Sequence, residues 1–317
     1  MQIHKLYKIE QSPLYNLRIK KRLCDLLKTD LKTIKLLVCD ENYWISTKVN
    51  SETGKKRTIY APKPNIKKIQ KRLQILISRI EVPDYLFSGR KGLCYIDNAR
   101  EHVSAKYLTT IDISDFYNKC LKEFVFKSFR YTFKMSDDVA WIAADIVTYH
   151  GFIPTGSPAS QLVAFWAYKQ AFDRISNVAK KFGAIFTLFV DDMAFSSQEI
   201  IPSALIFQVK KELEYVGHDF NNKKIKEFRK RDYKVVTGCV ITPSNELRVK
   251  NKQRKDILDS WTELNSSNKN EEANIKSLLG KVQSAKQIEP QLFSQKYSYL
   301  SAKSKCLASS GKLTTNP

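Results

Sequence analysis

The sequence predicts an α+β fold. Three observations carry that expectation. Apolar residues recur at helical spacing through the first 45 positions and again after residue 62, β-rich runs in the middle of the chain end in turn residues or acids, and amphipathic helical sequence fills the region after Lys252. At 317 residues with 43% hydrophobic side chains, the chain is long enough to bury one large core or two medium ones.

In chain order, Leu23, Leu26, Leu27, Leu31 and Ile34 mark an N-terminal helical region that reads as a packing element. The segment YWISTKVNSETGKKRTIYAP then reads as a hairpin turning around Ser51 to Gly54, with Pro62 and Pro64 stopping its second strand. The helix that follows carries Ile66, Ile69, Leu73, Leu76, Ile77 and Ile80 on one face, while Lys67, Lys68, Lys71 and Arg72 fall largely away from it. From Lys106, YLTTIDISDFY is a β-rich run ending in acids. Helical sequence follows to about Tyr149, then the loop HGFIPTGSPAS and an apolar helix through Phe172. AIFTLFVDDMAFSS reads as a tight hairpin with Asp191 and Asp192 at its tip. ALIFQVKKELEYVG is a helix ended by Gly217, and DYKVVTGCVIT and ELRVK are short strands. The helical remainder is broken by NSSNKNEE and frays at SSGKLTTNP.

Lys and Arg outnumber Asp and Glu by 54 to 32, a formal charge of +22. An excess of that size points to an anionic partner, nucleic acid first, although a merely soluble basic surface has the same composition. No apolar run approaches the ~20 residues of a membrane span, so a cytoplasmic protein is expected. The six cysteines, Cys24, Cys39, Cys94, Cys120, Cys239 and Cys306, form no C-x-x-C pair, which argues against a zinc site or a disulfide framework.

The acids suggest a chemistry. Phosphoryl transfer to a hydroxyl needs two divalent ions roughly 3.5–4 Å apart, held by converging carboxylates. Asp112 ends one expected strand, and Asp191 and Asp192 sit at an expected hairpin turn, so neighbouring strands of one antiparallel sheet would bring all three together. Taken alone, an Asp pair at a hairpin reads first as plain turn chemistry. Lys55, Lys56 and Arg57 lie on a basic ribbon suited to a triphosphate, or to plain solvation.

IDISDFY, IPTGSPAS, FVDD and FNNKK, in this order and at these intervals, resemble the palm motifs of reverse transcriptases, over about residues 55 to 240. The resemblance implies a right-hand polymerase with fingers, an antiparallel-sheet palm and a helical thumb. Residues 1–105 would be N-terminal helices and fingers (the fingers also taking part of 120–160), 106–245 palm and 246–317 thumb. Asp112, Asp191 and Asp192 would be the catalytic carboxylates and, with Ile113, the positions that hold two Mg2+ ions, Mn2+ suiting the same oxygen donors. Tyr117, five residues after Asp112, would be the gate against ribose 2′-hydroxyls. Arg57, in R-x-I-x-x-P, would meet the triphosphate of an incoming dNTP together with Thr155, Gly156 and Lys224, although Lys223 is an equal candidate for the lysine near pyrophosphate. The 13 Lys or Arg against 7 Asp or Glu in residues 246–317, with Tyr297 and Tyr299, suit a thumb along an A-form duplex.

Asn98-Ala99-Arg100-Glu101-His102 is similar to the N-A-x-x-H element of retron reverse transcriptases, and Val236-Thr237-Gly238 to their V-T-G element. That narrower likeness implies RNA-binding roles for Asn98, His102, Val236, Thr237 and Gly238. It also implies a cognate structured noncoding RNA copied in part into single-stranded DNA, priming from a guanosine 2′-hydroxyl, antiphage defence, and an effector protein encoded nearby. Other bacterial defence or diversity-generating reverse transcriptases, and an RNA-binding scaffold that holds an effector inactive, remain open alternatives. Three departures stand out. Thr155 replaces the glutamine of P-Q-G, Phe189-Val190 replaces the Tyr-Ala before the aspartates, and Gln161 replaces the proline after Ser160.

Overall fold

The computed structural model describes residues 6–49, 54, 56–266 and 271–310, the last with backbone alone at 271 and 308–310. Residues 51–53 of the expected turn, Lys55, part of the interruption at NSSNKNEE and the tail from residue 311 lie outside the described residues.

Helices and antiparallel strands mix along the chain, as an α+β fold requires. In order they are α1 (Lys20–Leu27), α2 (Leu31–Leu37), β1 (Tyr43–Val49), β2 (Lys56–Pro62), α3 (Pro64–Ile77), α4 (Tyr95–Arg100), β3 (Tyr107–Asp112), α5 (Phe116–Lys119), α6 (Lys122–Lys127), α7 (Asp137–Val147) and α8 (Ser160–Lys181). There follow β4 (Ile185–Phe189), β5 (Asp192–Ser197), α9 (Ser203–Glu214), β6 (Lys226–Phe228), β7 (Lys234–Val236), β8 (Cys239–Ile241), β9 (Leu247–Val249), α10 (Asn251–Ser266), α11 (Glu271–Ile288) and α12 (Ser294–Ser310). The chain divides into two compact units, residues 1–94 with 109–227, and residues 95–108 with 228–317. Among the described residues no helix is long and apolar enough to cross a membrane.

The first unit is organised around α8, which buries Ala164, Phe165, Trp166, Tyr168, Phe172 and Ile175 and packs against α6, α9 and β4. Its sheet runs in the order β4-β5-β3-β6. Beyond β4, Leu86 adds an isolated parallel bridge to Leu188: Leu188 donates its N–H to the Tyr85 carbonyl at 2.7 Å and its own carbonyl accepts from Phe87 N–H at 3.0 Å. β1 and β2 form the expected antiparallel hairpin, with Lys48 opposite Arg57. Pro64 begins α3 at a position where its missing N–H costs nothing, and Ile66, Ile69, Leu73, Leu76 and Ile77 are buried along it.

The second unit combines α4, the three-stranded sheet β7-β8-β9 and helices α10 to α12. Val236, Ile241, Val249, Ile257, Ile275, Val282 and Leu300 are buried within it, and polar contacts tie its elements together. The nearly buried Glu289 carboxylate accepts from Val249 N–H at 2.6 Å, Arg248 Nη1 at 2.8 Å and Arg254 Nη2 at 2.5 Å, joining the end of α11 to β9 and α10. Burial alone would raise the Glu289 pKa. The Val249 N–H and the two arginines outweigh it and hold the carboxyl below the usual carboxylate range.

Because the folded pKa is depressed, the Glu289 clasp contributes stability above the ordinary carboxylate pKa and loses it as pH falls through the lowered value. Glu289→Gln is expected to destabilise the protein by about 1.5–3 kcal/mol at neutral pH, the worth of hydrogen bonds to a charged group. The difference from the unmodified protein should shrink in acid, which thermal unfolding at pH 7 and pH 3 checks.

Candidate active site

The geometry of the first unit converges where β3 ends. Ile113 donates its N–H to the Asp191 carbonyl at 3.1 Å, and Ser114 donates to the Asp219 carbonyl at 2.8 Å. The end of β3 is thereby tied to the β4–β5 turn on one side and to residues 219–220 on the other, where Ile113 also bridges Phe220.

Phe189 pairs with Asp192, so the turn between β4 and β5 contains only Val190 and Asp191. Val190 adopts φ 62°. For a β-branched residue that left-handed conformation costs on the order of 1–3 kcal/mol. The buried Ser88 hydroxyl accepts the Val190 N–H at 3.0 Å and helps to hold the turn.

After Asp115, left-handed at φ 53°, the chain makes the single turn α5. Four residues do not sustain a helix unaided. The Tyr168 hydroxyl spans its far end, donating to the Lys119 carbonyl and accepting from Leu121 N–H, both at 3.1 Å. Phe116 is buried beneath against His218, ring centroids 5.1 Å apart, and Tyr117 stays half-buried beside the open space. Burial, with the Lys119 charge adding to it, pushes the His218 pKa down to about 4, so the ring under Phe116 is neutral at pH 7.

The third wall is β2. Gly156 donates its N–H to the Tyr60 carbonyl at 3.1 Å, and Thr155 Oγ1 accepts from Tyr60 N–H at 3.4 Å. Thr155, in place of the glutamine of the resembled motif, thus ties the loop before α8 to the basic ribbon.

A cavity of about 750 Å³ lies among these walls, and Arg57, Asp112, Ile113, Tyr117, Thr155 and Asp191 all line it. Burial raises the Asp191 pKa, the Asp112 charge adds to the rise, and Arg57 opposes it. Burial likewise raises Tyr117, next the Asp191 charge, with Arg57 again opposing. Two carboxylates, a guanidinium and a phenol therefore share one electrostatic environment. Asp192, Gly156, Lys223 and Lys224 do not line this cavity. Asp192 is exposed at the first position of β5, Gly156 packs on β2, and the two lysines are exposed in the turn Asn222–Lys224.

No family model matches the chain. Curated proteins do. The Retron Ec83 reverse transcriptase of Escherichia coli is 26% identical over 260 residues, 77% of this chain and 82% of that protein. The chain is related to the retron reverse transcriptases. The Retron Ec86 reverse transcriptase of Escherichia coli is 25% identical over 68% of each chain. The Retron Se72 reverse transcriptase of Salmonella heidelberg (strain 579083-10) is 30% identical over 156 residues, 48% of this chain, and the match spans only 41% of that protein's length.

The two elements shared in pattern with retron enzymes meet inside the second unit. Asn98 Nδ2 donates to Thr237 Oγ1 at 3.2 Å, and Thr237 Oγ1 donates to the Tyr95 carbonyl at 3.0 Å. Val236 pairs with Cys239, so Thr237 and Gly238 form a two-residue turn, at φ 43° and 101°. Turns of this kind require positive φ, which glycine adopts freely and threonine does not. Asn98, His102 and Val236 are buried, and burial pushes the His102 pKa down to about 3. A neutral, enclosed imidazole does not offer a cation to a phosphate.

Among the described residues, no group of three or more His, Cys, Asp or Glu side chains forms a ready metal cage. The oxygen donors that line the cavity, the Asp112 and Asp191 carboxylates with the Ile113 backbone, nevertheless fit a divalent cation of the magnesium type, and an Asp112 charge close enough to raise the Asp191 pKa favours one.

Sequence reading missed Ser88, Tyr168 and His218. Ser88 meets Val190 across 102 positions and Tyr168 meets Lys119 across 49, separations that no local pattern reports. A methyl group at Gly156 would lie 2.6 Å from the Tyr60 carbonyl oxygen and 2.8 Å from the Ala61 Cα, both backbone atoms. Gly156→Ala is therefore expected to cost about 1–3 kcal/mol by overpacking and to displace β2 with Arg57. Thermal unfolding and hydrogen exchange of the Tyr60 and Ala61 amides check this.

Proposed function

We propose that the chain is the RNA-directed DNA polymerase of a retron, built as fingers, palm and thumb, which copies part of a cognate structured noncoding RNA into single-stranded DNA. The observation that carries this reading is the cavity that gathers Arg57, Asp112, Tyr117 and Asp191 in a chain related to retron reverse transcriptases.

Asp112 and Asp191, with the Ile113 backbone and Asp192 beside them, would hold two divalent ions, Mg2+ or Mn2+. When bound, these supply the positive charge that activates a hydroxyl nucleophile and stabilises departing pyrophosphate. Arg57 holds the triphosphate of the incoming dNTP from β2, and Thr155 and Gly156 keep β2 in place. Tyr117 occupies the side of the cavity where a ribose 2′-hydroxyl would enter, so deoxynucleotides are preferred. Lys224 or Lys223 assists the leaving pyrophosphate after rearrangement of their exposed turn. Helices α10 to α12 grip the duplex backbone with their basic residues. Asn98, His102, Val236, Thr237 and Gly238 serve RNA binding by shaping the surface over the β7–β8 turn, since three of them are buried.

The relation to retron enzymes further supports priming from a guanosine 2′-hydroxyl of the same RNA, which leaves a branched RNA–DNA molecule, and a role in antiphage defence with an effector protein encoded nearby. Asp191→Asn combined with Asp192→Asn is expected to lower dNTP incorporation on a primed RNA template at least a hundredfold, roughly the several kcal/mol that a metal ion contributes, while RNA binding persists. Retained incorporation sinks the polymerase reading, and undiminished cellular function of the variant moves the protein to a scaffold. Tyr117→Ala should raise ribonucleotide incorporation relative to deoxynucleotide in the same assay.

A further inference from the structure

Under the function proposed above, α5 is the part of the cavity wall that chooses the sugar, since Phe116, Tyr117 and Asn118 all lie on it and all line the cavity. A ribonucleotide differs from a deoxynucleotide by one hydroxyl, which a loosely placed wall rejects poorly. The Tyr117 ring therefore has to be held closely. α5 does not supply such rigidity by itself. It is one turn long and enters through Asp115 at φ 53°. Along it, Lys119 N–H donates to the Asp115 carbonyl at 3.2 Å and Cys120 N–H to the Tyr117 carbonyl at 3.1 Å.

The hold comes from α8. Tyr168 is 2% exposed and does not line the cavity. Its hydroxyl donates to the Lys119 carbonyl, at the last position of α5, and accepts from Leu121 N–H, just before α6, both at 3.1 Å. One oxygen thus closes the chain around Cys120, whose own carbonyl accepts from Ile153 N–H at 3.0 Å. The Tyr168 ring is fixed in turn, stacked on Phe124 at 4.9 Å and edge-on to His218 at 4.4 Å between centroids. Phe116 rests on the same His218 at 5.1 Å, and Tyr117 tilts against Phe116 at 5.5 Å. Two routes therefore run from α8 to Tyr117: the hydroxyl through the backbone of α5, and the ring through His218 and Phe116.

We propose that Tyr168 is a positioning residue for sugar selectivity: its hydroxyl sets where Tyr117 stands in the cavity, and the preference for deoxynucleotides depends on it although Tyr168 touches no nucleotide. The inference rests on the Tyr117 gate of the function proposed above.

Single-nucleotide incorporation by the full chain on a primed RNA template, with kcat and KM measured separately for one dNTP and the matching ribonucleotide, tests this. Tyr168→Phe keeps the ring and removes both hydrogen bonds. Its dNTP-to-ribonucleotide ratio of kcat/KM is expected to fall about tenfold, less than the ~100-fold that a misplacement of ~1 Å can cost, chiefly through a lower KM for the ribonucleotide. Tyr117→Ala should lower the ratio by itself, and adding Tyr168→Phe to it should lower it no further, because the hydroxyl acts through Tyr117. Val209→Ala, a truncation of a buried side chain on α9, should lower thermal stability and leave the ratio unchanged. An unchanged ratio in Tyr168→Phe, additive losses in the double variant, or an equal fall in Val209→Ala overturns the proposal. A fall in Tyr117→Ala without one in Tyr168→Phe removes only the positioning role. No effect in Tyr117→Ala sinks the gate and the proposal together, and absence of incorporation by the unmodified chain sinks the polymerase reading as well.

Discussion

The hydrogen bond from Ile113 to the Asp191 carbonyl governs the first unit. Two carboxylates in a half-buried space repel each other, and burial already makes the charge on Asp191 costly. Without a backbone constraint they would separate. The bond runs between main-chain atoms of adjacent strands, so it is independent of side-chain ionisation and keeps the acids near each other whatever their charge. Ser88 supports it from behind the turn, and residues 219–220 support it from the far side of β3. Arg57 is brought to the same space by Thr155 and Gly156, whose contacts fall on the β2 backbone and therefore place the whole strand.

Both units bury apolar side chains, and the second adds polar clasps to that burial. The first is built on the aromatic and aliphatic side chains that α8 buries where it packs against α3, α6, α9 and β4. The second has short strands and amphipathic helices that bury Val236, Ile241, Val249, Ile257, Ile275 and Val282, and its clasps are Glu289 gathering β9 and α10, and Asn98 holding Thr237. Each unit also contains a two-residue hairpin turn with a β-branched residue at positive φ, Val190 in one and Thr237 in the other. In both, a hydrogen bond from outside the hairpin secures the strained residue, by way of Ser88 in the first case and Asn98 in the second.

Much of this was legible in the sequence because it is local. The hairpin at Asp191 followed from two apolar runs meeting at acids, α3 followed from its apolar face and Pro64, and strands β7 to β9 followed from short β-rich stretches. The approach of Asp112 to Asp191 was legible only as an expectation of sheet order. Contacts set by tertiary packing carried no pattern. Tyr168 looked like one more apolar helix residue, and nothing near Ser88 announced a partner in a distant turn. The retron-like elements show the opposite case: their spacing was recognisable, but their burial and their contact with each other depend on residues 95–100 and 236–238 meeting in space.

Residues 95–108 belong to the second unit although they lie, in sequence, between two parts of the first. The chain leaves one compact body, contributes α4 to the other, and returns through β3. No single cut therefore separates the two bodies. A fragment starting near residue 228 lacks α4 and with it the partner of Thr237, while a fragment ending there retains α4 with nothing to cover its buried face. Exchange of the second body between related proteins therefore requires two grafts made together, the stretch around Asn98 and the C-terminal region.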